Sequence, residues 1–594
     1  MKHLINKLLK QAIVELQTEG QLDTQLQPQI KVEPSKNKDF GDFATNLALV
    51  LAKAAGVKPR DMAQLIIARL PACDELAKVE IAGPGFINFY LTAQAIYQVI
   101  PQILQAGKDY GRVLTPNGEK LLVEFVSANP TGPLHVGHGR SVVYGAVIAD
   151  LLAAVGYQVE REYYVNDAGR QMDILAASLW LRYLALFNQS EVSFPANAYQ
   201  GQYVIDMAET LKTQQADKFF HPWAEVMQQV PAVSPADADE AIKKQAAEAH
   251  IDGLIAQAKK LLGSADYQQI VQLALTTVLD EIRADLADFG IHYQHWFSER
   301  SLHQANAIEQ AIARLKASGH LYQQQGAWWF RVSDFVEDKD RVIVRENGQP
   351  TYFAADIAYH LDKFNRGYNR AINVFGADHH GYIPRLTAAL KALGVPDNWL
   401  EVRTVQFANL YREGELIAMS TRQGEYVTLS QLRQEIGNDA TRFFYISRKA
   451  EQHMDFDLTL ATQQSKDNPV YYVQYAHARV ASVFTKLAEQ QQDWQISQGL
   501  AQLEQLTDPL ELQLISQLTR YPDLLQQAAE QTDPHLLAYY LRDLAGDFHT
   551  YYNGFRVLAD DQALRDARLA LSLAVKQVIA NGLGLLGVSA PDHM

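Results

Sequence analysis

The spacing of apolar residues changes several times along the chain, and each change marks a different kind of element. The opening MKHLINKLLKQAIVELQ keeps its apolar residues on one face of a helix. In KDFGDFATNLALVLAKAAG, Asp39-Phe40-Gly41-Asp42 predicts a turn that opens a second helix, and PRDMAQLIIARL predicts a third. VEIAGPGFINFYLT then sets Val79 and Ile81 against Phe86, Phe89 and Leu91 around a Gly-Pro-Gly turn, the pattern of a hairpin. The apolar run Leu121, Leu122, Val123, Phe125 and Val126 predicts a buried strand, broken by Asn129-Pro130-Thr131-Gly132-Pro133. Helical spacing resumes near Gly137, and VEREYYVNDAG reads as a second strand with its turn.

From about 171 to 289 the chain is helical and rich in Ala, Gln and Leu, which predicts an insertion splitting an α/β sheet. The α/β pattern returns with GAWWFRV, RVIVRENG and PTYFAADIAYHLDKF. Ala371 to Phe375 is the next strand, Gly376 to Gly381 its polar turn, and a helix follows. EVRTVQFANLYREGELIAMSTRQGEYVTLSQL gives strands around a glycine turn. After about Leu460 the pattern is almost wholly helical. Tyr471, Tyr475 and Arg479 share one face there, as do Leu571, Val575 and Val578, with Gly582 as the expected C-cap.

The strand, Pro/Gly turn and helix start at Leu121 to Arg140 form the layout with which α/β folds bind phosphates, where open N–H groups meet the positive end of a helix. His135 and His138 fall in that corner, with Gly137 between them leaving room for a ligand. The alternatives are surface histidines or a pair of metal ligands. No HExxH pattern accompanies them, and Cys73 is the only cysteine, so a thiolate cage for zinc is excluded. The lone cysteine also excludes an internal disulfide framework and fits a reducing cytoplasm. A length of 594 residues predicts three or four domains. No run of 18 apolar residues suggests a membrane span, and the N-terminus lacks the apolar centre of a signal peptide. The net charge of −15 argues against holding nucleic acid by bulk charge, while leaving room for a local basic groove.

HVGH resembles the HIGH motif of class I aminoacyl-tRNA synthetases. VEFVSANPTGPLHVGHGR with GYQVEREYYVNDAGRQ resembles the arginyl-tRNA synthetases in particular, and the likeness runs from about Lys38 to Met594. It implies an α/β chain with a Rossmann-type catalytic domain at 111–459, carrying the helical insertion. An N-terminal module at 1–110 would touch the tRNA elbow, and an all-α DALR-type anticodon-binding bundle would occupy 460–594, with Ala563-Leu564-Arg565 in its motif. It further implies ATP with magnesium as cosubstrate, no zinc, L-arginine and tRNA(Arg) as partners, arginine activation that requires bound tRNA, and a monomer.

A guanidinium substrate calls for buried carboxylates, whose paired oxygens match its planar fork. Glu124 and Asp356 are the candidates, and the structural alternative for Asp356 is a salt bridge or helix cap. By resemblance Tyr352 and Asp356 grip the guanidinium, while Ser127, Asn129 and His138 hold the amino-acid end beside His379. Pro130, His135, Gly137, His138, Gly376, Asp378, Met419 and Ser420 would face ATP, with His135, His138, Ser420 and Arg422 acting in catalysis. The plain alternative for the turn at Asp378 is a helix cap with incidental histidines. On the tRNA side the candidates are Phe86 and Asn88, by stacking and amide hydrogen bonds, and Tyr471, Tyr475 and Arg479; strand aromatics such as Phe86 are otherwise core.

The KMSKS-like stretch is Ala418-Met419-Ser420-Thr421-Arg422, in which Ala418 and Thr421 stand where lysines are usual and Arg422 is the charge that remains. Ala418 motivates one rival, a tRNA-binding paralogue that has lost catalysis; the intact histidines, acids and ADHH turn oppose it. A ligase for another amino acid is the second rival, opposed by the cost of burying two acids without a cation.

Overall fold

The computed structural model describes residues 2–35, 40–187, 192–234, 239–379, 381–417 and 427–594. Met419, Ser420, Arg422 and their neighbours in the KMSKS-like stretch lie outside the described residues, as does His380.

Helix α1 (Lys2–Thr18) buries Ile5, Leu9, Ala12 and Leu16, spaced three and four apart, against a four-stranded antiparallel sheet. The sheet comprises β1 (Val32–Pro34), β2 (Phe43–Thr45), β3 (Leu76–Ala82) and β4 (Phe86–Leu91) in the order β1-β2-β4-β3. Helices α2 (Leu47–Ala55) and α3 (Pro59–Ile67) complete the module. The turn at Gly41-Asp42 therefore opens a strand before the helix: Phe43 and Thr45 alternate inward on β2, and α2 starts only at Leu47. The β3–β4 hairpin forms as its alternation predicts, pairing Val79 with Phe89 and Ile81 with Ile87.

The module's apolar core ends at Leu91. Helices α4 (Ala93–Tyr97) and α5 (Val99–Ala106), together with the loop to Tyr110, pack on the C-terminal helices instead. Tyr97 donates to the Leu506 carbonyl at 2.8 Å, Tyr110 to that of Leu518 at 3.1 Å, and the Tyr110 ring stacks on Tyr521.

The central sheet is parallel throughout. Strand β5 (Lys120–Glu124) leads through α6 (Val136–Ala154) to β6 (Gln158–Val165). The helical insertion follows as α7 (Arg170–Ala185), α8 (Gln202–Gln215), α9 (Trp223–Val226) and α10 (Glu240–Asp288), the last broken at Gly263 (φ 69°, ψ 170°). The sheet resumes with β7 (His295–Ser298). Helices α11 (Glu299–Gln304) and α12 (Ala307–Ala317), the antiparallel strands β8 (Leu321–Gln324), β9 (Ala327–Phe330) and β10 (Arg341–Val344), and α13 (Tyr352–Asn365) form a satellite core beside it. Strand β11 (Arg370–Gly376), α14 (Ile383–Ala392) and β12 (Leu400–Val405) close the order β12-β11-β5-β6-β7. Chain order reverses between β5 and β11, so the crevice beyond their C-terminal ends is where such a sheet takes a ligand. The near-continuous burial of β5 reflects cover on both faces, with α6 so close that a Cβ on Gly145 would lie 2.2 Å from the Phe125 ring.

Strands β13 (Ala408–Arg412), β14 (Glu415–Leu416) and β15 (Met454–Asp457), with α15 (Leu429–Ile436), α16 (Asn438–Tyr445) and α17 (Leu458–Thr462), join the sheet to the C-terminal bundle. The bundle comprises α18 (Pro469–Glu489), α19 (Ile496–Leu500), α20 (Pro509–Glu530), α21 (His535–Gly554) and α22 (Gln562–Leu586). Leu571, Val575 and Val578 form the buried face of α22, which is long and apolar enough by composition to cross a membrane but lies mostly buried. Gly582 is not its cap. It sits within the helix where a Cβ would lie 2.6 Å from Leu541, and the left-handed cap is Gly587 (φ 66°).

Candidate active site

The histidine corner is a capping box built from two imidazoles. The Gly137 N–H donates to His135 Nδ1 at 3.1 Å, and the His135 N–H donates to His138 Nδ1 at 3.3 Å. Because both Nδ1 atoms accept, the ring proton of each lies on Nε2, which makes both rings donors at a helix N-terminus. Burial lowers the pKa of His135, and burial together with His135 lowers that of His138 to about 3, so both rings are neutral at working pH. Gly137 permits the arrangement: a Cβ there would sit 2.9 Å from the His135 ring. The corner is also tied to the far side of the KMSKS-like stretch, since the Val136 N–H donates to the Val427 carbonyl at 3.0 Å and Leu429 to that of Leu134 at 2.8 Å.

Ahead of the corner the backbone is strained and then pinned. Val126 (φ 70°) and Ser127 (φ 45°) are both left-handed without being glycine, at about 1–3 kcal/mol each. The Ser127 hydroxyl donates to Glu124 Oε1 at 2.9 Å and accepts from the Tyr164 N–H at 3.1 Å. Three tyrosine hydroxyls hold the loop's carbonyls: Tyr293 on Phe125 at 3.1 Å, Tyr163 on Ala128 at 3.0 Å and Tyr203 on Thr131 at 2.6 Å. Pro130 is buried, and Asn129 is left exposed at the crevice with its amide 3.0 Å from that of Asn166.

The two acids singled out by sequence stand in different electrostatic situations. Glu124 is 5% exposed and already neutralised by Lys363, which is fully buried and also donates to Asn373 at 3.0 Å. The cation that its burial demanded is thus supplied by the protein. Asp356 lies one turn into α13 and is no helix cap; it accepts from the Tyr382 hydroxyl, and burial raises its pKa to about 6. Facing it is an acid that the sequence reading missed. Glu299, 5% exposed at the start of α11, is pushed up to about 7 by burial and then by Asp356 and Asp167, and bonds Tyr164. The Asn166 amide, turned so that its nitrogen faces the carboxylate, donates to Glu299 as well. No Lys or Arg among the described residues forms an ion pair with Glu299 or Asp356, whereas Glu162 nearby takes a bidentate Arg366 at 2.6 and 2.9 Å. In sequence Glu299 looks like an ordinary acid in a helix's first turn; its distinguishing place, directly after β7 at the edge of the central sheet, emerges only in the structure.

Tyr352 stands 67% exposed at the first position of α13, its hydroxyl beside Gly169. Gly376 ends β11, where a Cβ would lie 2.4 Å from the Asp378 carboxylate; Asp378 and His379 are exposed at the crevice, 3.6 Å apart. Far from the crevice, the Tyr471 and Tyr475 rings stack at 5.8 Å, and Arg479 lies 4.5 Å over Tyr475 while bonding His549 and Asn553 of α21. On the N-terminal module Phe86 is 40% exposed and Asn88 only 3%.

Three family models cover these regions in turn: "Arginyl tRNA synthetase N terminal domain" over residues 3–91, "tRNA synthetases class I (R), catalytic domain" over 99–204 and 232–464, and "DALR anticodon binding domain" over 473–594. Curated relatives named arginine–tRNA ligase, from Thioalkalivibrio sulfidiphilus and from Legionella pneumophila strain Paris, are 54% and 51% identical over 594 residues, covering all of both chains. Among solved structures, the Thermus thermophilus arginyl-tRNA synthetase has a TM-score of 0.74 at 22% identity over all of both chains. A putative arginyl-tRNA synthetase from Campylobacter jejuni has 0.72 at 31% identity, over 85% of this chain and all of its own. With its sheet, its histidine corner and its helical bundle matched from end to end, the chain belongs to the arginyl-tRNA synthetases, the class I enzymes that ligate arginine to tRNA.

Proposed function

We propose that the ligase divides its work between the neutral histidine corner and the acid pocket facing it. The observation that carries this reading is the pair Glu299 and Asp356, buried acids with raised pKa values and no ion pair among the described residues. Asp356, Glu299 and Tyr352 receive the guanidinium, and Asn129 and His138 orient the amino-acid end, with His379 beside them. Ser127 acts through Glu124, whose charge Lys363 has already taken. Held there, the arginine carboxylate attacks the α-phosphorus of ATP. A P–O bond breaks to release pyrophosphate, and the arginyl-adenylate forms. The tRNA's terminal ribose hydroxyl then attacks the arginyl carbonyl, loses its proton and expels AMP.

His135 and His138 present Nε2–H donors to the phosphates as charge builds, each contributing about 2–4 kcal/mol, while Gly137, Pro130, Gly376 and Asp378 shape the nucleoside's seat. Met419, Ser420 and Arg422 are proposed to reach the leaving pyrophosphate on the strength of the family motif. Magnesium is proposed to arrive with ATP, as the family implies. We assign Phe86 to the tRNA elbow and Tyr471, Tyr475 and Arg479 to the anticodon side, in a cytoplasmic monomer; Asn88, expected from the sequence to contact the tRNA, is buried in the module's sheet, and the first domain division falls just after Leu91 rather than at 110, with the second near 459.

The test is ATP–pyrophosphate exchange across the amino acids, with and without tRNA. Exchange with arginine alone, and only when tRNA is present, is the expected result. Exchange that is equal for another amino acid would overturn the pocket.

A further inference from the structure

Helix α13 meets the central sheet through a row of buried polar side chains. Asn373 on β11 pairs in register with Glu124 on β5, and Glu124 with Glu162 on β6, so the three stand at one level near the sheet's C-terminal end. All three are buried, and Asn373 shares β11 with the buried apolar residues Ala371, Ile372 and Val374. Each member of the row is held from α13. Tyr359 donates to Glu162 at 2.7 Å and Arg366 grips the same carboxylate. Lys363 joins Glu124 to Asn373, and the Asn373 amide nitrogen lies 2.7 Å from His360 Nε2. The directions of these bonds are fixed. His360 Nδ1 lies 2.8 Å from the Asp356 carbonyl, which can only accept, so the ring proton is on Nδ1 and Nε2 accepts from Asn373. Burial and then Lys363 lower the pKa of His360 to about 3, which keeps the ring neutral. Asp356, Tyr359, His360 and Lys363 recur three and four apart along one face of the helix, with the pocket acid at its head.

Buried polar contacts of this kind add little stability over apolar side chains of the same shape. What they supply is direction. Glu162 holds the helix from the β6 side and Asn373 from the β11 side, with Glu124 between them. An apolar seam tolerates a roll of the helix about its axis, whereas a row of directed bonds anchored on both flanks opposes it. We propose that His360 and Asn373 are positioning residues for arginine: with Lys363 they lock α13 against the sheet and so fix the span between Asp356, at the guanidinium end, and the Glu124–Ser127 turn near the amino-acid end. His360 is the member of the lock closest to the pocket, bonded to the carbonyl of Asp356 itself. Neither residue touches the substrate. The inference rests on the reading of Asp356 as an acid that receives the guanidinium.

The test is the double variant His360→Leu with Asn373→Leu in the full-length enzyme, followed by thermal melting and by arginine-dependent exchange in the presence of tRNA. Both partners of one bond are replaced by apolar groups of similar shape, so the melting temperature is expected to stay within about 3 °C of native. The arginine KM is expected to rise about 10-fold or more, with kcat and the ATP KM within a factor of about two, because a misplaced acid weakens ground state and transition state alike. A folded variant with a native arginine KM, or with an equal rise in the ATP KM, would overturn the lock. Should the double variant not fold, His360→Gln and His360→Leu are compared. Glutamine keeps a donor and an acceptor and is expected to hold the arginine KM within a factor of about two, while leucine raises it about 10-fold. Equal arginine KM values in those two variants would overturn the lock as well. An arginine KM left native by Asp356→Asn would instead overturn the reading of the pocket.

Discussion

The histidine corner and the acid pocket face each other across the ends of β5 and β6, and they are built on opposite principles. The corner is local and neutral: residues 135–138 satisfy each other's donors and acceptors within one turn of helix. The pocket is dispersed and charged, drawing Tyr164, Glu299, Asp356 and Tyr382 from four separate elements. The corner is finished before substrate arrives, as suits groups that stabilise a transition state. The pocket is left electrostatically incomplete, as suits groups that must tell one cation from its neutral likenesses. Finished geometry serves rate, and unfinished charge serves choice.

The sharpest test of that contrast is L-citrulline, which keeps arginine's shape but presents a neutral urea. It leaves both acids unpaired and turns an oxygen toward them. Sites built on buried polar partners reject such analogues by about 10⁴-fold or more. Citrulline-dependent exchange within about 100-fold of that with arginine would mean that the acids do not do the choosing.

Asp356→Asn removes one partner of the incoming cation while keeping its shape. Losing half of a buried charged pair costs about 2–5 kcal/mol, so the arginine KM is expected to rise by at least about 30-fold. The ATP KM should stay near native, and equal rises in both would dissolve the distinction between the two regions. His138→Ala strikes the other side. It is expected to lower kcat by roughly 10²-fold with little change in arginine KM, and a normal rate in that variant would remove His138 from the chemistry.

These two regions were also unequally legible in the sequence. HVGH could be read because its contacts lie within four residues, and the strand and turn before it are fixed by local apolar and Pro/Gly patterns. The hairpin at Val79 to Leu91 was legible for the same reason. Glu299 was not, because its meaning depends on Asp356 arriving from a helix more than fifty residues later. Nor was Lys363, so Glu124 looked like a second substrate acid when its charge is in fact already taken. Gly582 and Gly587 show the limit at short range: both lie near the end of one apolar helix, and only the approach of Leu541 from α21 separates a packing glycine from a cap.

The same contrast predicts different responses to pH. Glu299 and Asp356, raised to about 7 and about 6, must both be ionised to receive a guanidinium. Between pH 8 and pH 6 the doubly ionised fraction falls about 20-fold, and kcat/KM for arginine is expected to fall with it. His138 is lowered to about 3 and stays neutral over that interval, so the ATP KM should stay near native. A parallel loss in both parameters would place the titrating group in the corner.

The smallest effect follows from the same raised acids acting on stability. A carboxylate whose folded pKa lies above its unfolded value binds more protons in the folded state, so its contribution is full below about pH 4 and is lost as pH rises through about 7. Glu299→Gln removes that loss. The ligand-free variant is therefore expected to melt about 1–3 °C higher than the native protein at pH 8, and no higher at pH 4. Saturating arginine should reverse the order at pH 8, because only the native pocket gains a charged partner on binding. Thermal shift at both pH values, with and without arginine, reads all of this. A variant no more stable than native when ligand-free at pH 8 would mean that the pocket stores no uncompensated charge.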